Sequence, residues 1–190
     1  MNRAQLEHAI RASCQIIQMT EVIVVGSQAI LGTYDENALP DEATMSRECD
    51  ILPIADSNEE IARLADAIEG VAGEWSPFEE QHGFCIDGVD LTTVVLPDGW
   101  RTRLVKVQNR NTAGPTGLPK FTGWCLEPHD LCAAKLCAAR EKDLNFVGAL
   151  IEADLVDRDV VRQRLGSVEP KHSAAAKRAV AWLASFDRDR

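Results

Sequence analysis

Along the first part of the chain, the spacing of the apolar residues is in some segments typical of a helix and in others typical of a strand. Helical spacing of the apolar residues predicts an amphipathic helix over residues 3–19. An unbroken β-branched run at residues 21–25 predicts a short strand that is buried on both faces and ends at Gly26. Residues 48–54 alternate and predict a second strand. Ser57 then stands where it would cap a helix with apolar residues on one face.

The middle of the chain predicts short strands joined by turns. Strand-like runs occupy residues 84–86 and 91–96. The runs 104–107 and 120–126 predict a basic strand pair, joined through the Gly-Pro-Thr-Gly turn at residues 114–117.

From residue 128 onward the pattern is helical almost throughout. The predicted helices are residues 129–142, 143–155, 157–166 and 170–187. Strands followed by helices predict an α+β fold in which a mixed sheet is flanked by helices. We expect the sheet in residues 1–127 and a C-terminal helical bundle packed on it in residues 128–190.

Composition and cysteine spacing limit the class of protein. The 190 residues are 45% apolar, enough for a real core, and no apolar run approaches the roughly 20 residues that span a bilayer. The first residues lead into the amphipathic helix and do not resemble a signal peptide, so we expect a cytoplasmic protein without a membrane partner. The nearest thing to a zinc-binding cluster is His129 close to Cys125 and Cys132, which does not supply four ligands. Reduced and mostly buried thiols are therefore the favoured interpretation of the cysteines.

Charge is distributed unevenly around a net value of −10. The first 100 residues hold 19 acidic and 4 basic side chains. Between Asp98 and Glu127 there is no acid, and five cations occur: Arg101, Arg103, Lys106, Arg110 and Lys120. This segment is either an anion-facing surface or a chance run on an exposed hairpin.

An acidic pair follows a glycine-serine turn. Glu48 and Asp50 are two positions apart on a predicted strand, so they project to the same side while Cys49 points into the core. Such carboxylates repel each other unless a divalent cation lies between them, and Mg²⁺ binds one or two carboxylates together with water and phosphate oxygens. A helix that opens at Ser27, capped by its side chain, would offer N–H groups to an anion. This combination suits phosphoryl or nucleotidyl transfer; the alternative is a solvated pair on an edge strand.

A second group of polar residues lies on the first predicted C-terminal helix. Lys135 flanks the apolar stripe of Leu131 and Cys132, so its ammonium must either extend to solvent or reach a buried anion. A triphosphate or a carboxylate of the metal site would suit its compact charge. The alternative is a surface helix on which Arg140 and Asp143 are solvated.

Taken in order, these motifs resemble those of a known superfamily. They are Gly26-Ser27, Glu48-x-Asp50, Asp130-x4-Lys135 and Arg140-Glu141-Lys142-Asp143. Together they resemble the minimal nucleotidyltransferases of the polymerase-β-like superfamily, and within it a small bacterial branch related to the AbiEii-type toxin nucleotidyltransferases. The likeness covers about residues 20–157.

The resemblance implies a role for each matching residue. Gly26, Ser27, Lys135 and Arg140 would bind the nucleotide, Glu48 and Asp50 would hold Mg²⁺ or Mn²⁺, and Asp143 would support the site. Asp90 is the candidate for a third catalytic carboxylate, with Asp87 behind it. The chain departs from the family pattern in having Glu48 where an aspartate is usual and 20 residues between Ser27 and Glu48.

The implied reaction is transfer of a nucleoside monophosphate from an NTP to a hydroxyl of RNA or protein, with release of pyrophosphate. Arg101, Arg103, Lys106 and Arg110 would hold the acceptor, because phosphate contacts need clustered cations. The relatives suggest a toxin–antitoxin or phage-defence component with a cognate antitoxin as partner. The alternative is a catalytically inactive nucleotidyltransferase fold that serves as a binding module.

Overall fold

A five-stranded mixed sheet organises residues 1–186, the part of the chain that the computed structural model describes. Its strands are β1 (Glu21–Val24), β2 (Glu48–Pro53), β3 (Cys85–Gly88), β4 (Val105–Val107) and β5 (Thr122–Cys125). They lie in the order β3-β2-β1-β5-β4. The β1–β5 and β2–β3 pairs are parallel, and β1–β2 and β4–β5 are antiparallel. The predicted mixed sheet and its basic strand pair are therefore confirmed.

Helices pack against this sheet and continue beyond it. They are α1 (Arg3–Ile16), α2 (Asp41–Thr44), α3 (Asn58–Ala72), α4 (Pro77–His82), α5 (Pro128–Ala138), α6 (Glu141–Glu152), α7 (Arg158–Gly166) and α8 (Ser173–Ser185). Short 3-10 helices span Ser27–Gly32, Glu36–Ala38, Trp100–Arg103 and Pro170–His172. Within residues 1–186, no helix is both long and apolar enough to cross a bilayer.

Helix α5 is the centre of the C-terminal half. Of its residues only His129 and Ala138 are not buried, and its neighbours are α6, α7, α8 and the 3-10 helix Ser27–Gly32. One cluster of buried apolar side chains runs from β1 through α5 into α8. The α+β class with C-terminal helices is confirmed, while the division into domains at residue 127 stays a prediction.

The break between α5 and α6 comes earlier than predicted. Ala139 adopts a left-handed conformation (φ 54°), and its N–H donates to the carbonyl of Lys135. Arg140 is extended and precedes the first residue of α6. An alanine gives no sequence signal for a left-handed turn, so the apolar periodicity predicts a helix that continues to residue 142. The turn places Arg140 and Asp143 together at the start of α6.

The strand predicted at residues 91–96 is wrong. After β3, the Asp90 carboxylate accepts hydrogen bonds from the N–H and the hydroxyl of Thr92, and the Thr93 hydroxyl donates to the Asp90 carbonyl. These local bonds compete with a strand ladder and turn the chain away from the sheet. Pro97 then meets Val168 at an isolated bridge.

Other differences concern helix ends. The left-handed Gln18 (φ 55°) follows the end of α1 at Ile16, so the helix is shorter than predicted. Residues 32–45, whose sequence predicts a loop, contain α2 and the 3-10 helix Glu36–Ala38. Helix α4 was not predicted, although Ser76 caps it and Pro77 occupies its first turn, a recognisable start signal.

A buried aspartate ties three segments together. Asp130, in the first turn of α5, has no exposed surface. Its carboxylate oxygens accept from Arg103 Nε at 2.7 Å and Nη2 at 3.0 Å, and Arg164 Nε of α7 lies 3.1 Å from Oδ1. Charges this deeply buried must be paired.

We therefore expect Asp130→Asn to destabilise the protein by about 3–5 kcal/mol, because two arginines would lose a buried partner. Urea unfolding measures the change. Glu60→Gln is the control, since it removes only an exposed pair with Arg63 and should leave the midpoint unchanged. A native midpoint for Asp130→Asn would contradict this account.

Candidate functional site

A cavity of about 500 Å³ opens between β2, the turn after β1 and the α5–α6 junction. Its lining includes Gly26, Ser27, Glu48, Asp50, Lys135 and Arg140, residues that the sequence had singled out from three distant segments. It also contains the cations Arg47 and Lys142, so we call it the cation-lined cavity.

Strand β2 brings the predicted carboxylates to one face. Cys49 is fully buried on the opposite face, and both Glu48 and Asp50 line the cavity. Asp50 is half-buried, whereas the Glu48 side chain is 49% exposed and its Oε2 lies 3.8 Å from Lys142 Nζ. The alternation along β2 therefore placed this pair correctly.

Gly26 is required by its close approach to Asp50. A Cβ atom at Gly26 would lie 1.5 Å from Asp50 Oδ2, so only glycine lets the carboxylate lie against the turn. The N–H of Val25 also donates to the Asp50 carbonyl at 3.1 Å. This pairing of β1 with β2 sets the position of the carboxylate.

The predicted cap at Ser27 is wrong. The helix that starts there is a six-residue 3-10 helix with Gly26 as its cap residue and no side-chain cap bond. Ser27 instead contributes to the cavity wall. Gln28 anchors the adjoining loop, because its Nε2 donates to the Ser46 carbonyl at 3.0 Å.

The opposite wall carries two cations that share one buried carboxylate. Asp143 Oδ1 accepts from Lys135 Nζ at 2.9 Å, and Asp143 Oδ2 accepts from Arg140 Nε at 2.6 Å. The Lys135 ammonium also lies 4.5 Å from the ring centre of Phe146. Lys135 is buried and thus not a solvated surface lysine, while the Arg140 side chain remains 63% exposed.

Charges across the cavity act on each other. Burial raises the pKa of Asp50 and the Glu48 carboxylate raises it further, whereas Lys135 and Arg140 oppose the rise. Burial also raises the pKa of Asp143, but hydrogen bonds from Arg140 and Lys135 outweigh it and hold the pKa below its usual value. Asp143 is therefore ionised, and Asp50 lies where a neighbouring cation is favoured.

The structure brings Asp87, and not Asp90, beside the acidic pair. Asp87 of β3 is in register with Asp50 on the parallel strand β2. Asp90 lies beyond the end of β3, with its carboxylate bonded to Thr92. Burial, followed by the charges of Asp50 and Glu48, raises the pKa of Asp87 to about 6.

A second cavity, of about 710 Å³, lies on the other side of the pair. Glu48 and Asp50 line both cavities. The other residues lining the second one include four more acids and an exposed tryptophan: Asp66, Glu69, Glu74, Asp87 and Trp75. We call it the acidic groove; among residues 1–186, none that lines it is basic.

Three residues that line the cation-lined cavity were not predicted from the sequence as site residues. Arg47 immediately precedes Glu48, and Lys142 belongs to the motif at the start of α6, so each stands beside a residue that was recognised. Asn145, one turn into α6, also lines the cavity. An exposed charged residue in a single sequence carries no sign of the cavity that it faces.

The basic segment lies at the far edge of the sheet. Lys106 is on β4, three strands from β2, with its ammonium 5.7 Å from the Trp124 ring centre, and Arg101 stacks on Trp100 at 4.5 Å. Arg103 donates to buried Asp130 through Nε and Nη2, so these donors are not available to an acceptor. Arg101, Lys106 and Arg110 remain as candidates for the anion-facing surface.

The carboxylates suit a divalent cation that also binds a phosphate. Across the described residues, no three His, Cys, Asp or Glu side chains form a metal site on their own. The six cysteines are buried and unpaired. Glu48 and Asp50 are oxygen donors of the kind Mg²⁺ and Mn²⁺ prefer, and phosphate oxygens would complete the coordination. A bound cation would favour the ionised form of Asp50, whose pKa is raised by burial and by the Glu48 charge.

A mixed sheet that presents a carboxylate pair beside a glycine turn, opposite a helical lysine, defines a nucleotidyltransferase-like class of protein. The chain belongs to the family described as nucleotidyltransferase of unknown function (DUF6036), whose model matches residues 4–185. No curated protein and no solved structure matches the chain. Membership of the nucleotidyltransferases is thus confirmed at the level of the family.

We expect Gly26→Ala to displace the Asp50 carboxylate, because the added Cβ would overlap it. Titration with Mn²⁺ and an NTP analogue should show at least tenfold weaker binding. Gly70→Ala is the control: it adds the same methyl group in open space on α3, where alanine stabilises a helix by up to about 1 kcal/mol. Equal binding by both variants would show that the close approach is unimportant.

Asp87 predicts a pH dependence of stability. Its folded-state pKa of about 6 exceeds the ordinary value of 3.8, so the folded protein binds the proton more tightly and loses stability as the pH rises between these values. In urea unfolding without divalent ions, Asp87→Asn should therefore have a higher midpoint than the native protein at pH 7, and the same midpoint near pH 4.

Asp90→Asn is the control, because the pKa of Asp90 is shifted in the opposite direction from that of Asp87. Hydrogen bonds from Thr92 lower the pKa of Asp90, so this variant should be no more stable than the native protein at pH 7. Identical pH profiles for the Asp87→Asn variant and the native protein would contradict the electrostatic account.

Proposed function

We propose that the protein transfers a nucleoside monophosphate from an NTP to an acceptor hydroxyl, with Mg²⁺ or Mn²⁺ as cofactor. One observation carries the proposal: a single cavity has the carboxylates Glu48 and Asp50 on one wall and the paired cations Lys135 and Arg140 on the other. The chain's family supports the class of reaction.

The cavity can accommodate both parts of a nucleotide. Lys135, Arg140, Arg47 and Lys142 supply positive charge for the polyphosphate, and charge-assisted hydrogen bonds to phosphate are among the strongest available to a protein. Apolar atoms of α5 and α6, including those of Leu131, Ala134, Ala138 and Phe146, would face the base. The volume of about 500 Å³ is within the range of small-molecule sites.

Glu48 and Asp50 would hold the divalent ion, with Asp87 beside them on β3. When bound, such an ion neutralises charge on the phosphate that is transferred. Asp143 holds Lys135 and Arg140 against the cavity wall, so it acts through these cations and does not itself line the cavity.

In the reaction, the acceptor hydroxyl oxygen attacks the α-phosphorus and forms a new O–P bond. The bond between the α-phosphorus and the oxygen bridging to the β-phosphate breaks, and pyrophosphate leaves with the bonding electrons. The hydroxyl proton passes to solvent. Lys135 and Arg140 favour this step by neutralising charge on the departing pyrophosphate.

We infer a wider biological role from the motifs. Lys135 and Arg140-x-x-Asp143 support a relationship to the AbiEii-type toxin nucleotidyltransferases, and with it a bacterial toxin–antitoxin or phage-defence role with a cognate antitoxin. The proposed acceptor is RNA or a protein, with Arg101, Lys106 and Arg110 as the surface for RNA.

An inactive binding module is the second candidate. It is favoured by the pairing of both Lys135 and Arg140 with Asp143, which would satisfy these cations without any nucleotide. An inactive module would tolerate the loss of Asp50.

Label transfer from each NTP, in the presence of Mg²⁺ with total RNA or total cell protein, tests the activity. Asp50→Asn should reduce transfer by at least a hundredfold. Lys135→Met keeps most of the apolar stem and should weaken NTP binding roughly tenfold, because a charge-assisted hydrogen bond contributes about 1.5–3 kcal/mol. Lys177→Met, on the exposed face of α8, is the matched control and should change neither quantity.

Two outcomes would contradict the proposal. Transfer by Asp50→Asn at the native rate would exclude the carboxylate site. A sharp fall in melting temperature of Lys135→Met, with normal NTP binding by the remaining folded protein, would make Lys135 a purely structural partner of Asp143.

A further inference from the structure

The two cavities that share Glu48 and Asp50 differ in charge. In the part of the chain that the structure describes, four basic residues line the cation-lined cavity, whereas the charged residues that line the acidic groove are all carboxylates. The acidic pair thus separates a side suited to anions from a side suited to cations. Because Glu48 and Asp50 line both cavities, the two oppositely charged surfaces are parts of one continuous site.

The chemistry of transfer assigns a role to each side, and this step rests on the proposed function. In phosphoryl transfer the attacking and leaving oxygens lie roughly in line on opposite sides of the phosphorus. If the polyphosphate lies against Lys135 and Arg140, the acceptor oxygen must approach from beyond the carboxylates. Within residues 1–186, the cation-lined cavity and the acidic groove both include Glu48 and Asp50 in their lining, and the acidic groove lies on the side from which the acceptor must come.

The groove has a rigid floor and exposed walls. Strand β3 packs so tightly on α3 that a Cβ at Gly88 would lie 1.9 Å from the Ala65 carbonyl oxygen. Asp66 and Glu69 project from the exposed side of α3, and Glu74 follows its end. The acids come from α3, from the residues after it and from β3, and within residues 1–186 they do not form a metal site on their own.

An exposed aromatic residue adds a second kind of cation contact. Trp75 is 82% exposed at the rim of the groove. Its backbone N–H donates to Glu79 Oε2 at 2.6 Å, which holds the residue in place. Lysine and arginine side chains bind to the faces of tryptophan rings as well as to carboxylates.

The same charges disfavour RNA at this position. A phosphate backbone entering the groove would meet four carboxylates besides the acidic pair. The basic surface of Arg101 and Lys106 lies at the opposite edge of the sheet, three strands from β2 and roughly 14 Å away at the usual strand spacing. Arg103 is already bonded to Asp130.

We propose that the acidic groove receives the acceptor and that the acceptor is a basic protein segment, in which a serine or threonine flanked by lysine or arginine presents the hydroxyl to the α-phosphate beside Asp50. Four acids line the groove besides the acidic pair, so several cationic side chains of one peptide can each meet an opposite charge there. The hydroxyl oxygen forms the new bond to phosphorus as pyrophosphate leaves.

Calorimetry with short synthetic ligands tests the assignment. The probes are a nine-residue peptide with one serine among lysines and arginines, an equal-length peptide with glutamates in their place, and a nine-nucleotide RNA. The native protein, with Mg²⁺ and a non-hydrolysable NTP analogue, should bind the basic peptide most tightly, and this binding should weaken as salt is added.

Matched double variants locate the binding. Glu69→Gln with Glu74→Gln removes two exposed charges from the groove and should weaken basic-peptide binding roughly three- to tenfold. Asp56→Asn with Glu59→Gln removes two exposed charges near the start of α3, outside the groove lining, and should leave binding unchanged. Neither double variant should alter the affinity for the NTP analogue. Trp75→Ala is an independent variant with the same expected direction.

The outcomes separate this inference from the proposed function. Normal NTP-analogue binding with no binding of the basic peptide, or equal peptide binding by both double variants, would overturn the inference and leave the proposed function standing. Tighter binding of the RNA, with label transferred to it, would also overturn it. Failure of the native protein to bind any NTP analogue with Mg²⁺ would instead contradict the proposed function.

Discussion

Helix α5 is buried almost all round, and it carries two charged residues that must be neutralised inside the protein. Asp130 is paired with Arg103 and Arg164, and Lys135 is paired with Asp143. Unpaired charges at such positions would cost several kcal/mol each. The arrangement of α6, α7 and the segment before β4 around α5 follows from this requirement, because each supplies a partner for one of its charges.

The pairing of Lys135 with Asp143 also sets the character of the cavity. An early turn at Ala139 brings Arg140 and Asp143 back towards Lys135, so the wall carries two cations against one anion. On the other wall, Gly26 lets Asp50 lie against the turn after β1. The cavity therefore holds charges of both signs at fixed positions, which is the preorganisation that charged substrates require.

The uneven distribution of charge along the sequence corresponds to a separation of charge between the two sides of the acidic pair in the folded protein. The acidic first half supplies the groove beyond Asp50, while the α5–α6 junction supplies cations to the cavity before it. Much of the positive charge predicted to face an acceptor is either internal, as at Arg103, or distant from the site, as at Lys106. Net charge over a segment describes composition, and it does not say which side chains share a surface.

Features that depend on local periodicity can be predicted from the chain alone. Alternation over two residues placed Glu48 and Asp50 on one face of β2, and the spacing around Leu131 placed Lys135 at the edge of a buried helix face. Which groups meet depends on the folded arrangement: Asp87 and not Asp90 lies beside Asp50, Asp143 pairs with Lys135, and Arg103 pairs with Asp130. The reason is physical, since strand register and ion pairing join residues far apart in the chain, and an isolated acid or base carries no local signal of its partner.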